Sequence, residues 1–155
     1  MASAKITIAG AGIFGLSCAW ELTRRGQPVR VYEAGRIGAG SSGGHVGALA
    51  PHAPENWNPK KQVQLEALIA KARTICPVLA DAPVVDRWAG IRPRAPSRAP
   101  MVGPWPGRPG HYVANGGFKI GLAMAPAVAA MLADLILECR DRIPQGFRPP
   151  AMAAG

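Results

Sequence analysis

Cysteine is scarce in this chain, and the three present, Cys18, Cys76 and Cys139, are far apart with no CxxC pair. This spacing indicates neither a disulfide framework nor a zinc site. It is typical of reduced thiols, so we expect a cytoplasmic protein. We also expect no bound metal, because the spacing around His45 does not suggest a ligand set.

Acidic residues are also few, with 9 against 18 basic residues, and the formal net charge is +9. Such a charge favours anionic partners, including a cofactor diphosphate, an acidic substrate, an acidic protein surface or nucleic acid. The arginines beyond position 86 are scattered among prolines, and no aromatic stacking pattern accompanies them. We therefore expect no nucleic-acid partner.

Long apolar runs are nearly absent. The N-terminus lacks the long apolar region of a signal peptide. The run from 120 to 137 contains Gly121, Pro126 and Asp134, and its large apolar residues follow a single stripe. We expect a helix that begins at Pro126 and packs on a sheet, and no membrane span.

Glycine, in contrast, follows a pattern with a chemical meaning. A short apolar strand near residues 5–9 is followed by Gly10, Gly12 and Gly15 and then by a helical stretch. Gly10 allows a tight turn, Gly12 lets the backbone approach a diphosphate, and Gly15 lets the helix pack against the strand. The free amides at the start of that helix would face the phosphates.

A second apolar strand, Val29–Glu33, follows the helix stop at Gly26. Its terminal carboxylate is placed to accept hydrogen bonds from the adenosine ribose. The strand, helix, strand and acid together predict an α/β fold, a Rossmann-like dinucleotide-binding domain with a reduced parallel sheet and flanking helices. A glycine-rich turn in an unrelated α/β protein remains the alternative.

The loop over residues 35–47 is a second glycine-rich segment. Its amides and serine hydroxyls are suited to phosphate oxygens or ribose, and a flexible linker is the alternative. The cofactor-binding residues predicted from these two segments are Gly10, Gly12, Ile13, Phe14, Gly15, Glu33, Ala34, Arg36, Ser41, Ser42, Gly44 and His45.

Further along, Pro59 predicts the start of a helix that runs to about Arg73. The region from 77 to 109 is rich in proline and reads as extended loop. We expect a third strand over 112–114, weak strands at 84–85 and 101–102, and a disordered tail over 143–155.

Three blocks resemble the FAD-dependent amine oxidoreductases of the D-amino acid oxidase, glycine oxidase and sarcosine oxidase group. They are residues 8–33, residues 40–45, and the segments 90–93 and 117–121. The resemblance implies that FAD is the cofactor. It also implies that the first block holds its adenosine and diphosphate, the second approaches the flavin, and the third closes over the isoalloxazine through Gly117, Phe118, Ile120 and Gly121.

The same resemblance implies two catalytic roles. Lys119 would lie near flavin N1 and the C2 carbonyl, where a cation favours reduction. Arg92 would hold the carboxylate of an amine or amino-acid substrate while hydride passes to flavin N5. The alternatives are a solvated loop cation for Lys119, a surface residue for Arg92 and a turn cap for His45.

The chain also departs from that family, because the long middle section, including the substrate domain, is missing. We expect one FAD-binding domain over 1–142, formed from two family segments joined near 70–76, with weak FAD affinity and impaired activity. Two alternatives stay open. One is a non-enzymatic remnant or subunit whose exposed sheet edge is covered by a partner chain or a second copy. The other is an NAD-binding domain, since Glu33 serves either ribose.

Overall fold

The structure, a computed structural model, describes residues 6–43, 59–86 and 92–150. The chain divides into two compact units, residues 1–44 with 90–155 and residues 45–89. The single domain expected over 1–142 stays a prediction. In the second unit, helix α2 (Pro59–Ile75) is followed by a 3₁₀ turn at Pro77–Leu79.

The predicted strand, helix and strand open the first unit as β1 (Ile6–Ala9), α1 (Ile13–Arg24) and β2 (Val29–Tyr32). The two strands are parallel, with Ile6 opposite Val29 and Ala9 opposite Tyr32. Alternate residues of each strand are half-buried, and the others are exposed. This alternation shows that only one face of the pair is covered within the described residues.

The third helix, α3 (Gly121–Glu138), packs on α1. It begins five residues earlier than the proline that was expected to start it, so Pro126 lies inside the helix. A proline in the second turn removes one amide hydrogen bond, and burial of the helix face outweighs this loss. α3 is also long and apolar enough to cross a membrane by length and composition. Here its small and branched residues are buried in the core: Ala125, Val128, Ala129 and Leu132.

The remaining strands form a separate antiparallel pair, β3 (Met101–Pro104) and β4 (Tyr112–Asn115). The strand predicted over 112–114 is therefore real, but it pairs with the weakly predicted 101–102 strand and does not extend the parallel sheet. The strand predicted at Val84–Val85 is wrong, since these residues are 46% and 90% exposed and have no strand partner. Without a buried neighbour, branched side chains alone do not form a strand.

Residues 143–150 are ordered, so the expectation of a disordered tail is wrong there. Ile143 is only 6% exposed and belongs to the core, and Gln145–Phe147 form a 3₁₀ turn. Arg148 donates a hydrogen bond to Asp141 across this segment. The buried Ile143 side chain attaches this segment to the core, which the proline-rich sequence around it did not indicate. Residues 151–155 lie outside the described residues.

An ion cluster joins the C-terminal ends of α1 and α3. Arg25 forms ion pairs with Glu21 at 2.8 Å, with Asp134 at 2.7 Å and with Glu138 at 3.0 Å. Hydrogen bonds from Arg24 and Arg25 lower the pKa of Glu21, and the hydrogen bond from Arg25 lowers the pKa of Asp134. The cluster fixes two helices that are distant in sequence.

Candidate functional site

The turn between β1 and α1 depends on three glycines, each for a different reason. Gly10 has φ +100°, a value that disfavours other residues, and its amide donates to the Tyr32 carbonyl at 2.7 Å. A Cβ on Gly15 would lie 1.9 Å from the Gly10 carbonyl oxygen. Gly12 is the N-cap of α1 and presents no side chain to the helix start. The turn therefore has the backbone form that the sequence pattern predicted.

Backbone amides converge at this helix start. The amides of Ile13, Phe14 and Gly15 lie in the first turn, where geometry leaves them no acceptor within the helix. Ile13 N donates to Ser42 Oγ at 2.9 Å. The Phe14 side chain, 8% exposed, belongs to the core, so this residue offers a ligand its amide and not its ring. The dipole of α1 adds positive potential at the same point.

Glu33 follows β2 directly and turns back onto the glycine turn. Its Oε2 accepts a hydrogen bond from Ala11 N at 2.7 Å, and its Oε1 accepts one from Gly35 N at 2.9 Å. These two backbone hydrogen bonds hold the pKa of the carboxyl below its usual value. The sequence predicted this carboxylate but not its amide partners, because such contacts depend on how the loop turns after the strand.

The second glycine-rich loop lies against the first. Gly38, at φ +71°, donates its amide to the Ala11 carbonyl at 3.0 Å. Ser41–Gly43 form a 3₁₀ turn that brings the Ser42 hydroxyl to the start of α1. The other predicted residues of this loop are placed as follows: Ala34, Arg36 and Ser41 are exposed, and Gly44 and His45 lie outside the described residues.

The third block adjoins the first through Gly117. A Cβ on this glycine would lie 2.7 Å from Cζ of Phe14, so the turn before α3 rests on the core side of α1. Phe118 has φ +44°, and its amide donates to the Pro93 carbonyl at 3.1 Å. That hydrogen bond brings the segment after Arg92 beside the predicted Lys119 turn.

The two predicted catalytic residues are exposed in the structure. Lys119 Nζ lies 5.7 Å from the centroid of the Phe118 ring, a cation–π distance that holds the ammonium beside its own turn. Arg94 approaches the same ring at 5.8 Å, a contact that the sequence did not reveal. Ile120 is the N-cap of α3, and Gly121 begins the helix.

The arrangement fits a dinucleotide. A helix N-cap without a side chain, first-turn amides that lack intrahelical acceptors and a carboxylate at the end of β2 are the groups needed for a diphosphate and its adjacent ribose. Among the described residues no group of three or more His, Cys, Asp or Glu comes together as a metal site.

Comparison with known protein families decides the class. The sequence model of the FAD dependent oxidoreductase family matches residues 5–65 and 53–135. The chain belongs to the FAD dependent oxidoreductase family. The family depends on FAD, so the resemblance seen in the sequence and FAD as the cofactor are both confirmed.

Several glycine oxidases are similar to this family member. That of Pseudomonas aeruginosa is 37% identical over 111 residues, which cover 70% of this chain and 30% of that enzyme. The glycine oxidase of Bacillus licheniformis is 34% identical over 97 residues, covering 60% and 26%, and that of Bacillus subtilis is 33% identical over 86 residues, covering 55% and 23%. The chain thus spans less than a third of the length of these relatives. No solved structure matches it.

Proposed function

We propose that this chain is the FAD-binding part of an amine or amino-acid oxidoreductase of the glycine oxidase type. One observation carries the proposal: the glycine turn of α1, the Glu33 carboxylate and the turn at Gly117–Lys119 adjoin within one compact unit. These are the segments that the resemblance assigns to the two ends of FAD. The glycine oxidases among the relatives favour an amino-acid substrate.

Some residues of the chain would bind FAD, and others would orient the substrate. FAD, when bound, supplies the hydride acceptor of the reaction. We assign the α1 amides to the diphosphate and Glu33 to the adenosine ribose. Lys119 would hold positive charge near the flavin, and Arg92 would orient a substrate carboxylate by its planar fork. Gly44 and His45 belong to this proposal through the resemblance alone.

We also propose that this chain consists of two segments that are separated in sequence in longer relatives. The family match in two overlapping pieces, 5–65 and 53–135, supports that origin. The overlap precedes residues 70–76, where the sequence placed the junction, and that position stays a prediction.

A partner chain or a second copy would complete the small parallel sheet. The exposed residues of β1 and β2 include Tyr32, 55% exposed, and the nearby helix α1 exposes Trp20 by 71%. Parallel strands are rarely left open on one face. Light scattering after size exclusion would show a mass above that of a monomer, and a strict monomer that binds FAD would contradict this part of the proposal.

A cytoplasmic location goes with the proposed function. Cys18, Cys76 and Cys139 are free in the structure, and burial raises the pKa of the Cys18 thiol to about 11. The absence of a disulfide among these cysteines agrees with a reducing compartment. Fractionation of the native host with antibodies to this chain would test the location.

Titration with FAD beside NAD tests the central claim. We expect saturable quenching of flavin fluorescence by the purified chain, with weaker binding of NAD measured by calorimetry. Arg30→Gln serves as the matched surface control, because Arg30 is exposed on β2 while Glu33 follows the same strand. Glu33→Gln is expected to weaken FAD binding and Arg30→Gln to leave it unchanged. Binding of NAD alone would indicate an NAD domain, and binding of neither would overturn the proposal.

A further inference from the structure

Two segments that are well separated in sequence meet just before α3. Arg94 forms an isolated antiparallel bridge with Gly117, and the amide of Phe118 donates to the Pro93 carbonyl at 3.1 Å. Both contacts are made by backbone atoms. The approach of the two segments therefore does not depend on the Arg94 side chain, and that side chain can be changed while the approach stays in place.

The Phe118 ring receives a cation from each of these segments. The Arg94 guanidinium lies 5.8 Å from the ring centroid, and Lys119 Nζ lies 5.7 Å from it. A cation at such a distance is attracted by the negative charge on the face of the ring. The ring therefore connects the Arg94 side chain to that of Lys119.

The geometry of Phe118 suits this connecting role. Its φ of +44° is rare for a residue with a side chain, and such a conformation persists only where the surrounding structure holds it. The residue is half-buried, whereas Arg94 and Lys119 are exposed. An exposed lysine has many rotamers, so contact with a held ring restricts its ammonium group. The planar guanidinium of Arg94 packs on the same ring and restricts the ring in turn.

We propose that Arg94 is a positioning residue for Lys119 and that it acts through the Phe118 ring. The inference rests on the proposed function, in which Lys119 holds positive charge near the flavin. A charge that is fixed in place stabilises the negative charge of reduced flavin better than a charge on a mobile side chain. Arg94 thereby raises the reduction potential of bound FAD, and this role does not require Arg94 to contact the cofactor.

The reduction potential of bound FAD, measured by equilibration with a reference dye, is the readout. We expect Arg94→Gln to lower the potential by an amount equivalent to about a 2- to 5-fold weaker preference for reduced flavin, as for the loss of one exposed cation–π contact. Arg94→Lys keeps a cation beside the ring and should recover most of this loss. Arg108→Gln is the control, because it removes one positive charge from an exposed residue of the loop between β3 and β4. We expect this control to leave the potential unchanged.

A double-mutant cycle with Phe118 tests whether the ring carries the effect. Phe118→Leu removes the ring and keeps both cations, and we expect it to lower the potential as Arg94→Gln does. The double variant should have a potential no lower than that of the lower single variant, because the two substitutions break one chain of contacts. Additive losses would show that Arg94 acts by its own charge, and they would overturn the proposal.

Denaturant unfolding of the same variants separates positioning from a structural role. A lower unfolding free energy of Arg94→Gln with an unchanged potential would assign Arg94 to stability alone and overturn the inference. An unchanged potential and an unchanged stability, with FAD binding of the parent chain intact, would overturn it as well and leave the proposed function standing. Failure of the parent chain to bind FAD overturns the proposed function and this inference with it.

Discussion

At the scale of single residues, the shape of the candidate site depends on the glycines of the turn between β1 and α1, which carry no side chain. Gly15 has no room for a methyl group, because the carbonyl oxygen of Gly10 fills the space that a Cβ would need. That contact is between backbone atoms, which cannot move aside as a flexible side chain can. The close approach of α1 to the end of β1 therefore depends on this glycine.

Substitution of Gly15 tests that dependence. We expect Gly15→Ala to lower the free energy of unfolding by about 1–3 kcal/mol, as for other overpacked positions, and to weaken FAD binding because the amides of the first turn shift. Chemical denaturation and flavin titration are the measurements. Gly146→Ala is the matched control, since a Cβ there meets nothing within 4 Å. Equal stability of the two variants would contradict the packing argument.

Glu33 provides a prediction in pH. Its pKa is lowered in the folded chain by the amides of Ala11 and Gly35, so its contribution to stability is present above the usual carboxyl pKa and is lost as the pH falls through the lower folded value. Glu33→Gln should therefore be less stable than the parent at pH 7, and the difference in melting temperature should close towards pH 3. Thermal melts of both chains across this range are the measurement. A difference that does not change with pH would show that the charge plays no part.

Residue types alone predicted much of this site but not its internal contacts. The glycine spacing sufficed for the turn, because Gly10 and Gly15 are required by steric rules that hold in any chain. The contact of Glu33 with Ala11 and that of Ser42 with Ile13 depend on how two loops lie on each other. The spacing of apolar and polar residues along the sequence does not indicate how these two loops lie on each other.

At the scale of elements, the pairing of α1 with α3 forms the centre of the main unit. Phe14 and Cys18 of α1 share a buried cluster with Val128 and Leu132 of α3. The ion cluster of Arg25 with Glu21 and Asp134 lies at one end of this helix pair, and the glycine turn lies at the other. The helix pair thus connects the ion cluster to the candidate site at the glycine turn.

Two leucines of α3 allow a controlled test of this support. Leu132 is 7% exposed and Leu122 is 63% exposed on the same helix. We expect Leu132→Ala to cost about 2–5 kcal/mol of unfolding free energy, and Leu122→Ala less than about 0.5 kcal/mol. Denaturant unfolding followed by circular dichroism would measure both. Similar losses in the two variants would contradict the described burial.

Element prediction failed where tertiary contacts outweighed local signals. The sequence predicts a helix start at Pro126, but α3 begins at Gly121, because burial of its apolar stripe outweighs the loss of one amide hydrogen bond. The prolines around Ile143 predict a disordered tail, yet its side chain belongs to the same buried cluster as Val102 and Val128. Helix α1 and strands β1 and β2 were predicted correctly because their local patterns and their packing agree.

At the scale of the whole molecule, the chain covers only part of the relatives that it matches. The chain spans 30% of the Pseudomonas aeruginosa glycine oxidase to which it is similar. Flavin oxidation of an amino acid needs a site that excludes water and orients the substrate. In this chain Arg92 and Lys119 are both exposed.

We accordingly expect the FAD-loaded chain to oxidise glycine at a rate indistinguishable from buffer that contains free FAD. Peroxide formation in a peroxidase-coupled assay, with FAD saturation confirmed by fluorescence, is the measurement. Sustained turnover above that background would show that the exposed site is sufficient, and it would make Arg92→Ala the next variant to assay.

The contact between α1 and α3 also determines when the core of the main unit can form during synthesis of the chain. The first helix emerges from the ribosome long before Gly121–Glu138, the segment that covers its apolar side. Until that later segment has left the exit tunnel, Phe14 and Cys18 lack the part of their buried cluster that Val128 and Leu132 supply, and long-range contacts of this kind slow folding. A nascent chain that is arrested shortly after β4 would therefore be a client for chaperones.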